Sequence, residues 1–178
     1  VNIVYSDATQ GWIPLDDDVS AYEPTPPPTQ KGIFGFGANG PAGTFFSATN
    51  LVSSSGVVAS DVTGVGSTRT NLAAAGYADK GIFGFGELQT PSGAGVTAIT
   101  NLVSNSGVVA TDTAGVGTVR YQTAATSYGT DKAIFGYGHA GGTTAITNLV
   151  SNSGVVATDT TGVGTARTHI AAVGYGST

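Results

Sequence analysis

The sequence has no cysteine and no methionine, and only 10 % of its residues are charged. Without cysteine there is no disulfide framework and no thiolate metal site. Soluble domains carry roughly 25 % charged residues, so the polar surface here must come from Thr, Ser, Asn and backbone. That economy of charge suits a protein held in an assembly. Six Lys and Arg residues, scattered along the chain, make no phosphate-tracking stripe and argue against nucleic acid as a partner. No run of 18 apolar residues occurs, so membrane insertion is not expected. The opening Val1-Asn-Ile-Val-Tyr5 has no basic region leading into an apolar one and does not read as a signal peptide. With no methionine at all, the chain reads as processed or as part of a longer one.

What the sequence does have is a repeat. The runs Lys31-Gly-Ile-Phe-Gly-Phe-Gly37, Lys80-Gly-Ile-Phe-Gly-Phe-Gly86 and Lys132-Ala-Ile-Phe-Gly-Tyr-Gly138 begin 49 and 52 residues apart. Each leads to Thr-Asn-Leu-Val-Ser (49–53, 100–104, 147–151), then Gly-Val-Val-Ala (56–59, 107–110, 154–157). Each closes with an aspartate, a Gly-Val-Gly and an arginine: Asp61 and Arg69, Asp112 and Arg120, Asp159 and Arg167. Length varies mainly at 38–48, 87–98 and 139–145. The organisation is therefore an N-terminal β segment (1–20), a Pro-rich linker (21–30) and a repeat domain (31–178) of units 31–79, 80–131 and 132–178.

Every candidate element is short, bounded by glycine and rich in Val, Thr and aromatics, which favours strands over helices. In the third unit, strands are expected at Ile134-Phe135, 145–151, 155–159 and 167–176, with Asn152-Ser153-Gly154 as hairpin turn chemistry. The expected class is all-β, with four strands in each unit of about 50 residues, the arithmetic of a propeller blade. Three blades are too few to close a ring, so the array is expected to stay open or to be completed by other copies. The phase supports this, because the Arg-bearing strand of one unit runs straight into the Ile-Phe-Gly strand of the next.

The run from Val163 through Arg167 to Gly176, followed in the repeat by Ile-Phe-Gly-Tyr-Gly, resembles the kelch repeat over residues 31–178. Gly-Phe-Gly or Gly-Tyr-Gly stands where kelch has Gly-Gly, and the kelch tryptophan has no counterpart. The wording from Thr100 to Arg120 and from Thr147 to Arg167 resembles repeats in structural proteins of tailed phages. The segment Val4 to Trp12 looks like the closing hairpin of a small β module found beside such repeats. The resemblance implies a virion or extracellular location and a tail-fibre, appendage or decoration protein. Its partners would be other copies and other virion proteins. The rival readings are an adhesin whose variable loops meet a host surface glycan or receptor, and a subunit of a bacterial extracellular filament.

The remaining motifs favour structure over chemistry. Gly35–Gly40 and Gly136–Gly141 fit G-x-G-x-x-G, but no helix follows to make a dinucleotide site. Asp61, Asp112 and Asp159 lack the dense oxygen loop calcium needs and read as turn residues. The Asp16-Asp17-Asp18 triplet is a weak metal candidate for the same reason. Arg69, Arg120 and Arg167 repeat as lattice elements, whereas catalysis needs an asymmetric constellation; they are expected to tie carbonyls between blades or to pair the repeat's Asp. His139 and His169 have no Cys or second His at ligand spacing. No enzyme, catalytic residue, cofactor or metal is expected. Val1, Ile3, Tyr5 and Trp12 give residues 1–13 an apolar face, which the prolines from Pro24 to Pro28 would hold away as a strand for pairing with a neighbouring subunit.

Overall fold

The computed structural model describes residues 3–9, 11–14, 30–40, 43–91 and 93–176. It divides into two compact units, 1–30 and 31–178. In the first, β1 (Ile3–Asp7) pairs antiparallel with β2 (Gly11–Pro14), with Tyr5 opposite Trp12 and a register shift between Tyr5 and Asp7. Val1, the acidic triplet and the prolines lie outside the described residues.

The second unit is all-β, and no helix occurs among the described residues. Its strands are β3 (Gly32–Ala38), β4 (Phe45–Val52), β5 (Arg69–Thr70), β6 (Ala73–Tyr77), β7 (Lys80–Gly84), β8 (Glu87–Thr90), β9 (Gly93–Val96), β10 (Thr100–Val103), β11 (Ala124–Tyr128), β12 (Lys132–Gly136) and β13 (Thr147–Val150). They form small antiparallel sheets: β3-β4, β6-β7-β10, β11-β12-β13 and β5-β8-β9. Each is an open row, and none closes into a barrel among the described residues.

The sheets straddle the sequence repeat. β6 belongs to the first unit by sequence, yet it pairs with β7 of the second from Ala73↔Gly84 to Tyr77↔Lys80. β11 pairs with β12 in the same register, from Ala124↔Gly136 to Tyr128↔Lys132. The cause is the short connection, Ala78-Asp79 in one case and Gly129-Thr130-Asp131 in the other, which turns the chain back on itself.

Three expectations need correction. The segment after Arg167, expected as a strand over 167–176, forms none among the described residues. It is the counterpart of β6 and β11 but has no Ile-Phe-Gly strand beside it, and a strand exists only through its ladder. Residues 155–159 form no strand either; they contribute the bridge Val150↔Val156, and Thr147↔Thr160 lies just beyond. The third sheet therefore carries bridges where a fourth strand was expected, as the second does through Val103↔Val109 and Thr100↔Thr113. Lastly, the variable segment 87–98 is largely a hairpin, with β8 paired to β9 from Glu87↔Val96 to Thr90↔Gly93.

Successive sheets stack through aromatic rings laid on glycine. A Cβ on Gly35 would stand 3.1 Å from Phe83, and one on Gly84 only 2.7 Å from Phe135. Phe83 and Phe135 accordingly have 5 % and 0 % of their surface exposed. The main core joins Ala73, Ala75, Tyr77, Ile82, Phe85, Ala98, Ala133, Phe135, Val150 and Val156, and small side chains let the sheets approach. Gly84→Ala should therefore destabilise the repeat unit by about 1–3 kcal/mol. Gly142→Ala, with open space around the added methyl, should be near neutral. Denaturant midpoints for the two variants test this; equal midpoints would show that the rings yield.

Candidate functional site: the joints between repeats

The chemistry-bearing residues gather where one repeat meets the next. Arg69 and Arg120 are each fully buried, as are Asn101 and Asn148. An Arg side chain is almost never buried without partners, and here the partners come from two directions. On its own repeat's side, Arg69 lies 4.6 Å from the Phe36 ring centroid, and Arg120 4.5 Å from that of Phe85. Such a cation over a ring face gains more when water is excluded. On the following repeat's side, Arg69 donates to the Ile99 carbonyl at 2.6 Å and to Asn101 Oδ1. Arg120 donates to Asn148 Oδ1 at 2.5 Å.

Each asparagine passes the bond onward. Asn101 Nδ2 donates to the Ala110 carbonyl at 3.0 Å and to Asp112 Oδ1 at 2.9 Å. Asn148 Nδ2 donates to the Ala157 carbonyl and Asp159 Oδ1 at the same two distances. The carboxylate then reaches back across the joint. Asp112 accepts from the Ser67 backbone N–H at 3.0 Å and its hydroxyl at 2.6 Å. Asp159 accepts the same pair from Thr118, at 3.0 and 2.6 Å. Arg120 Nη1 also stands 3.6 Å from Asp159 Oδ1. The circuit Arg–Asn–Asp–Ser/Thr thus crosses the joint twice and closes on the loop carrying the arginine.

The charges respond to this setting. Burial pushes the Arg69 guanidinium down to about 10, with Asp112 pulling the other way, so it stays charged at neutral pH. Arg120 is lowered for the same reason, opposed by Asp159. Partial burial would raise the Asp112 and Asp159 carboxyls. The Ser67 or Thr118 hydroxyl, the asparagine amide, the backbone N–H and the arginine outweigh it and hold both below the ordinary range.

The ring under each arginine belongs to a strained residue. Phe36, Phe85 and Tyr137 have φ of 66°, 63° and 61°, and Asn71, Gln122 and His169 have 54°, 53° and 52°. A bulky residue at positive φ costs free energy and persists only where its surroundings fix it. At Phe36 and Phe85 the fixing contacts are the arginine above and an edge-on ring of the next repeat, Phe83 or Phe135, 5.1 Å away in each case.

Two members of the set stand apart. Arg167 is exposed; it lies 4.9 Å from the Tyr137 ring centroid and meets no asparagine among the described residues. Asp61 accepts from Asn50 Nδ2 at 2.7 Å but, among the described residues, meets no serine or threonine of another repeat as Asp112 and Asp159 do. His139 packs on Tyr121 with ring centroids 5.0 Å apart. His169 Nδ1 sits 3.1 Å from the Thr168 hydroxyl. Among the described residues no three His, Cys, Asp or Glu side chains cluster as metal ligands do. Of the G-x-G-x-x-G runs, the first spans the register shift of β3 and the second leaves β12 after Gly136.

Sequence reasoning selected the arginines and aspartates and passed over the asparagines and Ser67 and Thr118. The signal was there: Asn50, Asn101 and Asn148 recur at the second residue of Thr-Asn-Leu-Val, within a strand, where asparagine is disfavoured.

Arg120→Ala should cost about 1–3 kcal/mol by leaving Asn148 and Asp159 short of a partner. Arg120→Lys should recover little, since an ammonium cannot reproduce the planar fork. Arg167→Ala should leave the denaturant midpoint unchanged. A midpoint insensitive to Arg120→Ala would remove the arginine from the joint. Because both folded aspartates titrate below their unfolded value of ~3.9, their stabilisation is complete above that value and is lost as pH falls through the folded values. Stability should thus decline below about pH 4, and Asp112→Asn with Asp159→Asn should flatten that decline, read from melting temperatures across pH.

Compared with known proteins, the chain matches no family model and no curated protein.

Proposed function

We propose that this chain is a structural component of a bacteriophage particle, a tail-fibre, appendage or decoration protein assembled through its β repeats. The observation that carries the mechanical half is the use of its charged groups. The buried arginines and the aspartates they reach are spent on identical joints, at Arg69 with Asp112 and Arg120 with Asp159. Catalysis needs groups poised differently from one another, and a lattice needs them alike. The viral half rests on the wording of the repeat, Thr-Asn-Leu-Val-Ser-Asn-Ser-Gly-Val-Val-Ala-Thr-Asp, which is similar to that of tailed-phage structural proteins.

On this reading the sheets β6-β7-β10 and β11-β12-β13 are each a blade of a kelch-like array. The first strand of each comes from the preceding repeat (β6, β11), and the last position is held by the bridging segments at 109–113 and 156–160. The array stays open or is completed by other copies, and the variable hairpins after each Gly-x-Gly face outward. Partners are other copies of the chain and other virion proteins, and β1 serves as a pairing strand for a neighbour.

Antibodies raised against the chain should decorate tail fibres or appendages of purified virions carrying this gene, seen by immunogold electron microscopy. Virions that contain no trace of the chain by labelling and by mass spectrometry would remove the phage reading.

A further inference from the structure

Each internal joint has two halves, and residues 31–178 carry one unmatched half at either face. On the first-repeat face, Phe34 is 63 % exposed, although its counterparts Phe83 and Phe135 are buried. Among the described residues β3 pairs with β4 alone, while β7 and β12 have partners on both sides. Asn50 uses its Nδ2 on Ala59 and Asp61 and has no arginine on its Oδ1 among the described residues. Gly56 has open space where Gly107 meets Leu51 and Gly154 meets Leu102.

On the last-repeat face the complementary groups are equally unmatched. Arg167 has its ring, Tyr137, but no asparagine among the described residues. Thr165, the counterpart of Ser67 and Thr118, meets no aspartate among the described residues. Gly136 carries no phenylalanine ring, where Gly35 carries Phe83 and Gly84 carries Phe135. Residues 171–175, the counterpart of β6 and β11, have no ladder, leaving Val173 80 % and Tyr175 99 % exposed.

We infer that the two faces are the halves of one further joint, formed between two copies of this chain arranged head to tail. The register follows from the internal joints. Tyr77↔Lys80 and Tyr128↔Lys132 place Tyr175 opposite Lys31 of the next copy, and Ala75↔Ile82 and Thr126↔Ile134 place Val173 opposite Ile33. In the same step Arg167 reaches Asn50, Thr165 reaches Asp61, Phe34 covers Gly136 and meets Tyr137, and Leu149 covers Gly56. The occupant is a second copy because its first repeat presents all of these groups at the spacing the joint uses twice already. Such an interface is heterologous, so it propagates into an open row or closes as a ring rather than stopping at a two-fold dimer. The inference deepens the assembly reading above by naming the partner surface. Immunogold labelling tests the particle and the experiment below tests the joint, so either can fail alone.

The chain has no cysteine, which makes a clean cross-linking test available. Full-length Ile33→Cys and Val173→Cys chains are prepared separately and treated with a short bis-maleimide, alone and mixed. The mixture should give a cross-linked pair of one chain of each kind, and each variant alone should not. Cross-linking of either variant with itself would indicate a two-fold contact and overturn the proposal. In sedimentation velocity the wild-type chain should form a concentration-dependent series of oligomers. Arg167→Ala should weaken that association by about tenfold, with an unchanged melting midpoint at dilutions where the wild-type chain is monomeric. A wild-type chain that stays monomeric up to the highest concentration reached would overturn the second copy as occupant and leave these faces to further repeats of the same kind.

Discussion

Two full positive charges lie inside a stack built from alanine, glycine and valine, and the rest of the repeat unit answers to that fact. A guanidinium removed from water needs its donors engaged and its charge compensated, or the fold loses several kcal/mol. The asparagine supplies a neutral acceptor deep in the sheet, where a carboxylate would itself be costly to bury. The aspartate stays at the margin, closer to water, and polarises the asparagine from behind. Partial burial alone would raise its pKa, but the hydroxyl and N–H of Ser67 or Thr118 help hold it below the ordinary carboxylate range. Each member of the circuit thus makes the next one tolerable. The positive φ at Phe36 and Phe85 belongs to the same arrangement, because it turns the ring under the guanidinium.

The circuit also explains why the stacking is directional. An arginine always looks forward to the asparagine of the following repeat, and an aspartate always looks back to the loop before it. Residues that point in opposite directions along the array cannot satisfy themselves within one repeat. In solenoid-like proteins stability is then shared between the repeats and their interfaces. A single repeat of this kind would hold an arginine with its own ring but no asparagine ahead of it, like Arg167, and an aspartate with no hydroxyl behind it, like Asp61, among the described residues. Open strand edges at such faces are ordinarily a liability that proteins blunt with charge, proline or a bulge. Here β3 carries none of these between Gly32 and Gly35.

Much of this was legible in the sequence, and the legible part was periodic. Glycine-bounded runs of Val, Ile, Thr and Phe fixed the β class, and the continuity from Tyr77 into Lys80 foretold that strands cross the repeat boundary. The strand at 167–176 was misread because sequence pattern gives propensity, whereas a strand is a pairing; the same residues that form β6 and β11 stay outside any ladder when no Ile-Phe-Gly strand lies beside them. The hairpin β8–β9 escaped notice because the residue types of Glu87–Val96 do not recur in 38–48 or 139–145, so the repeat carries no shared strand pattern there. Asn101 and Asn148 were overlooked for a different reason. Their recurrence inside a strand marked them as unusual, but their role depends on an arginine some thirty residues earlier, and that pairing is not written in local spacing.

The crossing of strands over the repeat boundary has a mechanical consequence. If each sheet held only the strands of its own repeat, two neighbours would be joined by side chains, and a pull along the array would separate them ring by ring. In this chain β6 is continuous with the first repeat and hydrogen-bonded into the second through five successive residue pairs. Drawing the repeats apart must then break a backbone ladder, an Arg–Asn–Asp circuit and a ring-on-glycine contact together, since the same few residues position all three. Phe83 illustrates the coupling: it sits opposite Ala74 in the ladder, covers Gly35 and meets Phe36, the ring beneath Arg69. Contacts that must fail together resist load better than contacts that fail in turn. Arg69, Arg120, Asp112 and Asp159 sit at these joints, so the buried charges belong to the contacts that must break together.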